Sequence, residues 1–285
     1  VLILALAMLP SFALADGPLD RLKADIAAAP TNGAETRVEL IGNITDFTTD
    51  DIITIQEGQN IVLDMNGYTI TVADDFSGRP LVNYGTLTMT GNGTIDSSVS
   101  DAGGLGAINN YGFLTVENGT YKSSVNVSGA TIFNRPHATL IIKDGRFDAG
   151  RTAVYNAGDA YIYNGYFDCR SCSSCNPNSW GYTIQSHQEE LGVMPNLYFY
   201  DGTVIGVQGA FSTSAGYTEI HDGTFETIPC EKHSNGGTAF YALYVAGESG
   251  EVECNVYGGS FTSVSKVAAY IGNNAPGDGG DRLPA

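Results

Sequence analysis

The sequence predicts an all-β chain, a single-stranded right-handed parallel β-helix with a short N-terminal capping helix. Three observations carry this: a strand–turn unit that recurs through most of the chain, apolar columns in phase with it, and a helical segment ahead of the first unit. The unit is an alternating strand, then Asn or Asp (once Gly), Gly, a polar or aromatic residue, and a large apolar one. It reads Asn92-Gly93-Thr94-Ile95, Asn118-Gly119-Thr120-Tyr121, Asp144-Gly145-Arg146-Phe147 and Asn164-Gly165-Tyr166-Phe167. It continues as Asp201-Gly202-Thr203-Val204, Asp222-Gly223-Thr224-Phe225 and Gly258-Gly259-Ser260-Phe261, with an earlier relative at Asn66-Gly67-Tyr68. Successive glycines, 67 to 259, are 26, 26, 26, 20, 37, 21 and 36 residues apart. A propeller blade needs four strands and about 40 residues; most of these intervals suit one coil of a three-sided solenoid. Asn-Gly and Asp-Gly supply the positive φ that a corner needs.

Alignment on that Gly sorts side chains by face, because strand side chains alternate. Three positions before it stand Val116, Ile142, Ile162, Phe199, Ile220 and Val256; two after it stand Ile95, Tyr121, Phe147, Phe167, Val204, Phe225 and Phe261. Both columns must point inward, with like residues about 4.8 Å apart along the axis. Asn83, Asn110, Asn134 and Asn156 form a further ladder, expected to hydrogen-bond the turn backbone of the next coil. Ahead of the coils, Pro18 to Ala29 places Leu19, Leu22 and Ile26 at helical spacing. A solenoid needs its open end covered, so this helix is read as the cap.

Composition agrees. Only 15% of residues are charged while 36 of the 285 are Gly, which suits turn-rich β structure and argues against a helical bundle. A net charge of −18 disfavours nucleic acid and anionic membranes, which need clustered Lys and Arg. Residues 1–15, VLILALAMLPSFALA, read as an apolar signal segment, truncated at its start and closing on the A-x-A site Ala13-Leu14-Ala15. No other stretch could span a bilayer. The expected organisation is a signal peptide over 1–15, the capping helix and linker over 16–34, the β-helix over 35–275, and a tail or linker to a missing region over 276–285. The expected location is secreted or cell-surface, as a monomer or part of a larger surface protein.

Ile53 to Ile70, ITIQEGQNIVLDMNGYTI, and the segments NYGTLTM at 83–89 and NYGFLTV at 110–116 resemble secreted bacterial right-handed β-helix repeat proteins of the pectin-lyase-like fold. The resemblance covers about residues 35–275. It implies the fold and leaves function open, since such folds host lyases, hydrolases, adhesins and stalks. The wall anchors usual in that family are not in this sequence.

Glycoside hydrolysis needs two carboxylates flanking the bond. The acidic doublets Asp50-Asp51 and Asp74-Asp75 lie in the first coils, and no G-H-G or R-I-K motif follows them; they read as surface turns. Arg135-Pro136 echoes the Arg-Pro segment of pectate lyases, but no acidic cluster accompanies it, so Arg135 reads as a corner residue. The sequons at Asn43, Asn92, Asn118 and Asn126 are assigned no glycan. No cofactor is implied. Cys169, Cys172 and Cys175 follow the inward Phe167, and Cys230 and His233 follow the inward Phe225. Both insertions leave at nearly the same corner, two coils or about 10 Å apart. These four cysteines form two disulfides on one edge, or hold zinc with His233 as a further candidate ligand; free thiols and an iron–sulfur cluster are the remaining readings. Cys254, level with Leu114, Leu140, Ala160 and Leu197, should be a buried free thiol.

The outward column just before each corner reads Glu117, Lys143, Tyr163, Tyr200, His221 and Tyr257; the one two residues earlier includes Tyr161 and Tyr198. Tyr161, Tyr163, Tyr198, Tyr200 and Tyr257 are therefore the candidate ligand-binding residues, flat rings able to stack on sugars with hydroxyls left to hydrogen-bond. Ordinary β-propensity and cross-coil pairing would produce the same column. The expected function is a non-enzymatic surface stalk or adhesin-like module that binds glycan or a host or surface protein. The alternative is a polysaccharide lyase or glycoside hydrolase with an atypical site.

Overall fold

The computed structural model describes residues 17–100, 105–124, 129–169, 181–207, 209–229, 241–247, 251–264 and 267–272, with the backbone of 282–283. The helix spans Pro18–Ala28. Its first residue lacks an N–H that the first turn would leave unpaired anyway. Gln59 Nε2 donates to the carbonyls of Ile26 at 2.8 Å and Ala29 at 3.1 Å, so a coil side chain satisfies acceptors that a helix end leaves open. Leu22 and Ile26 are buried in the same core as Val38, Phe47 and Ile53, which sit on the first strand of each sheet. The helix thus covers the open end of the solenoid.

Three parallel sheets run along the molecule, and each coil gives one strand to each. The first extends from Glu35–Glu39 to Val252–Val256, the second from Ile44–Phe47 to Ser260–Thr262, the third from Ile53–Ile55 to Ala269–Gly272. Arg282–Leu283 pairs antiparallel with the last of these. Neighbours within a sheet lie three strands apart in sequence, as a right-handed parallel β-helix requires. No helix among the described residues is long and apolar enough to cross a membrane.

The registers place like residues on like. Tyr121, Phe147, Phe167, Val204, Phe225 and Phe261 follow one another in the second sheet. Phe147 stacks on Phe167 with centroids 4.8 Å apart and rings 7° from parallel, and Phe225 on Phe261 at 4.7 Å and 6°. Burying each such side chain contributes about 1.5–3 kcal/mol. The inward column of the first sheet is buried from Val116 to Ile220, but Val256 is 45% exposed. Val256, Cys254 and Phe261 lie on the last strands of their sheets, with no further strand over them among the described residues. Cys254 is accordingly half-buried rather than enclosed.

At the corners Gly145, Gly202 and Gly223 donate their N–H to the preceding Asp carboxylate at 2.7–2.8 Å, which explains the choice of Asp there. Gly202 has φ 135°, and a Cβ on it would lie 2.7 Å from the Gly165 carbonyl oxygen. One corner differs: the positive φ near Gly93 belongs to Gly91 and Asn92, and Gly93 is needed for space, its Cβ position being 2.3 Å from that of Met65.

Asn83, Asn110, Asn134 and Asn156 are completely buried. The Nδ2 of each of the first three donates to the Oδ1 of the next at 2.8 Å. Each Nδ2 also reaches a backbone carbonyl of the following coil, at Phe113, Thr139, Asp159 and Asn196, over 2.9–3.0 Å. The ladder therefore satisfies both itself and the corners, as buried amides must.

Candidate functional site

Alternation along the first sheet turns two columns of side chains outward, and aromatic residues fill their middle. Tyr161 and Tyr198 are register partners, as are the residues that carry Tyr163, Tyr200, His221 and Tyr257 to successive corners. Tyr161 stacks on Tyr198 at 5.0 Å and 4°, Tyr163 on Tyr200 at 4.8 Å and 5°. The second column continues through His221, 4.8 Å from Tyr200, to Tyr257, 5.1 Å from His221. Below Tyr163 it begins with the Lys143–Glu117 ion pair at 2.8 Å. The five sequence-predicted tyrosines thus share one face.

The stacking changes what that face offers. Coil spacing is also the contact distance of parallel rings, so each inner ring has its faces against its neighbours. Solvent meets ring edges and phenol hydroxyls. Burial first, then the neighbouring tyrosines and Glu219, raises the pKa of Tyr198 and Tyr200. Glu219 anchors the upper end: it accepts from the Tyr217 hydroxyl and lies 2.9 Å from His221 Nε2. Those two bonds, Tyr217 first, hold its carboxyl below the ordinary value.

Of the four loop cysteines, Cys169 is the one among the described residues. Cys169 ends the strand Tyr166–Cys169 and faces the core, a free thiol pushed up in pKa mainly by burial. Continuing the alternation from Phe167 through Asp168 would have placed it inward. Cys172, Cys175, Cys230 and His233 lie outside the described residues. Cys254 is the other free thiol among the described residues. No three His, Cys, Asp or Glu side chains among the described residues are placed to hold a metal.

The sequence reading missed a recess on the outer face of the third sheet. Asn109, Phe133, Tyr155 and Gln185 are successive outward residues there. Arg79, Arg135 and Arg151 join Phe133 and Tyr155 around a cavity of about 320 Å³. Arg135, read as a corner residue, lays its guanidinium 3.6 Å over the Phe133 ring, donates from Nε to Asn109 at 2.8 Å and pairs with Glu189 at 2.6 Å. Arg79 and Arg151 stand at the entrance to third-sheet strands and Arg135 just past the exit of one; that all three flank strands of this one sheet was the available signal. Comparison with protein-family models, curated proteins and solved structures finds no match to the chain.

Proposed function

We propose that the chain is a non-enzymatic extracellular module of the pectin-lyase-like kind, a secreted or surface stalk that binds glycan along its tyrosine ribbon. The observation that carries the reading is the run of aligned rings Tyr163, Tyr200, His221 and Tyr257, flanked by Tyr161 and Tyr198, on one outward face. Single exposed aromatics are ordinary surface, whereas a contiguous exposed aromatic patch is characteristic of interaction sites. Phenol hydroxyls repeated at coil spacing suit an extended polymer lying along the solenoid axis. The core ladders beneath keep that row rigid, so little ordering is lost on binding.

A glycan array probed with the wild-type chain, Tyr163→Ala and Tyr200→Ala tests this. Defined glycans should bind the wild type and lose signal with both variants. An empty array, or signal unchanged in both variants, overturns the assignment.

A further inference from the structure

The recess on the third sheet runs against the charge of the molecule. The chain carries 13 Lys and Arg against 31 Asp and Glu, yet Arg79, Arg135 and Arg151 converge on this one cavity. Guanidiniums gathered at one place repel each other unless something negative sits among them. Arg135 has its counter-charge in Glu189. Arg79 forms no ion pair among the described residues, Glu189 acting on it only through space: it is 7% exposed, its Nε–H donates to the Ala130 carbonyl at 3.2 Å, and its two terminal nitrogens, not sealed from solvent, have no acceptor among the described residues. Buried charges in proteins are ordinarily paired. The Phe133 ring lies 5.4 Å from the Arg79 guanidinium carbon. Burial, and behind it the positive charge of Arg135, brings the Arg79 pKa down to about 10 against the opposing pull of Tyr111 and Glu189, so it remains cationic at neutral pH with no directly paired counter-charge among the described residues.

The walls narrow the partner's chemistry. Tyr155 lines the same cavity, its ring 4.5 Å from Phe133, and its hydroxyl has no hydrogen-bond partner among the described residues. A fork of guanidinium donors with a phenol donor beside it matches a planar carboxylate, which accepts bidentately. The aromatic wall suits a compact skeleton behind it. A doubly charged phosphate gains less here, because the surrounding field of a chain with net charge −18 opposes it.

We propose that this recess binds a small carboxylate-bearing ligand, its carboxylate on Arg79 and its skeleton against Phe133 and Tyr155. The site lies on a different sheet from the tyrosine ribbon, so the two assignments stand or fall separately. The carboxylate can belong to a free small acid or to an acidic sugar of a glycan, and the probes separate these.

Isothermal titration calorimetry of the whole chain with sodium benzoate, sodium D-glucuronate and sodium phosphate, at constant ionic strength, is the test. Saturable one-to-one binding of benzoate identifies a free acid, and of glucuronate an acidic sugar. The carboxylate that binds should weaken about tenfold or more in Arg79→Lys, which loses the fork. It should stay within about twofold in Arg37→Gln, which alters an exposed arginine paired with Asp64 on the first sheet. If Arg79→Lys fails to fold, Tyr155→Phe removes only the hydroxyl and should still weaken binding about threefold or more. In the wild type, the Nε–H resonances of Arg79 and Arg135 should shift along the titration. Absence of saturable carboxylate binding, phosphate bound as tightly, unmoved arginine resonances, or an unchanged affinity in the folded variant overturns the proposal.

Discussion

Replacing Asn134 by Ala removes the middle rung of the buried amide ladder. The side chain accepts from Asn110 Nδ2 at 2.8 Å and donates to Asn156 Oδ1 at 2.8 Å and to the Asp159 carbonyl at 3.0 Å. A hydrogen bond of this kind is worth about 1 kcal/mol net, and more when a buried partner is left unsatisfied. The partners are not wholly stranded: Asn110 Nδ2 keeps the Thr139 carbonyl at 2.9 Å, and Asn156 Oδ1 keeps the Gly158 N–H at 3.3 Å. The expected loss is therefore about 3 kcal/mol, three bonds without a large extra penalty. Asn156→Ser should cost less, about 1–2 kcal/mol, because its contact to the next rung, Ser186, is already 3.5 Å long and a hydroxyl is tolerated there. Urea unfolding followed by far-UV circular dichroism, with linear extrapolation at unchanged slope, measures both. A loss under about 1 kcal/mol for Asn134→Ala, or the reverse ranking, would show that the ladder is not what holds the coils in register.

Three further outcomes are expected. Gly202→Ala should cost about 2–3 kcal/mol, from positive φ plus a Cβ 2.7 Å from the Gly165 oxygen, whereas Gly192→Ala, at φ 86° with open space around it, should cost only about 1 kcal/mol; equal thermal shifts would contradict the corner argument. Native alkylation with mass-spectrometric readout should modify half-buried Cys254 before buried Cys169, since burial raises both thiols and encloses only the second; Cys169 labelled first would place it outside the core. Burial opposes ionisation of Asp96, but hydrogen bonds from Ser98 and Lys122 outweigh it and hold its pKa below the ordinary value. Its contribution is thus present above the unfolded value of about 3.9 and lost as pH falls through the folded one. Asp96→Asn should flatten the acid limb of a stability–pH curve, and an unaltered limb would remove Asp96 from it.

What the sequence revealed was what a period of two can reveal. Fixing the phase on one glycine places Phe147, Phe167 and Phe225 in a single column, and they share it, Phe147 stacked on Phe167 and Val204 standing between Phe167 and Phe225. The same rule orients the amide ladder and the outward tyrosines. It says which way a side chain points, not whether a further coil covers it, so Val256 and Cys254 were expected to be enclosed and are not. It is also blind across coils: the Arg79 guanidinium bonds Ala130, 51 residues away, and no local pattern encodes that reach. The recess exists only once coils are stacked.

Stacking leaves two ways in which the proposed glycan site on the tyrosine ribbon could work, and Tyr257 separates them. If recognition uses hydroxyls and ring edges, every ring in the column matters comparably. If it uses a ring face against a sugar, only a ring at the end of the column has a face to give. Tyr200 is sandwiched between Tyr163 and His221, at 4.8 Å on each side. Tyr257 has His221 on one side and is 65% exposed, on the last strand end of the first sheet. Tyr257→Ala should therefore weaken glycan binding no more than Tyr200→Ala does, within about twofold, if the hydroxyl row is the site. Tyr200→Phe, which keeps the stack and removes one hydroxyl, should weaken it as Tyr200→Ala does. Surface plasmon resonance against an immobilised glycan hit reads both. Binding abolished by Tyr257→Ala yet untouched by Tyr200→Phe would assign recognition to the exposed end ring and refute the row.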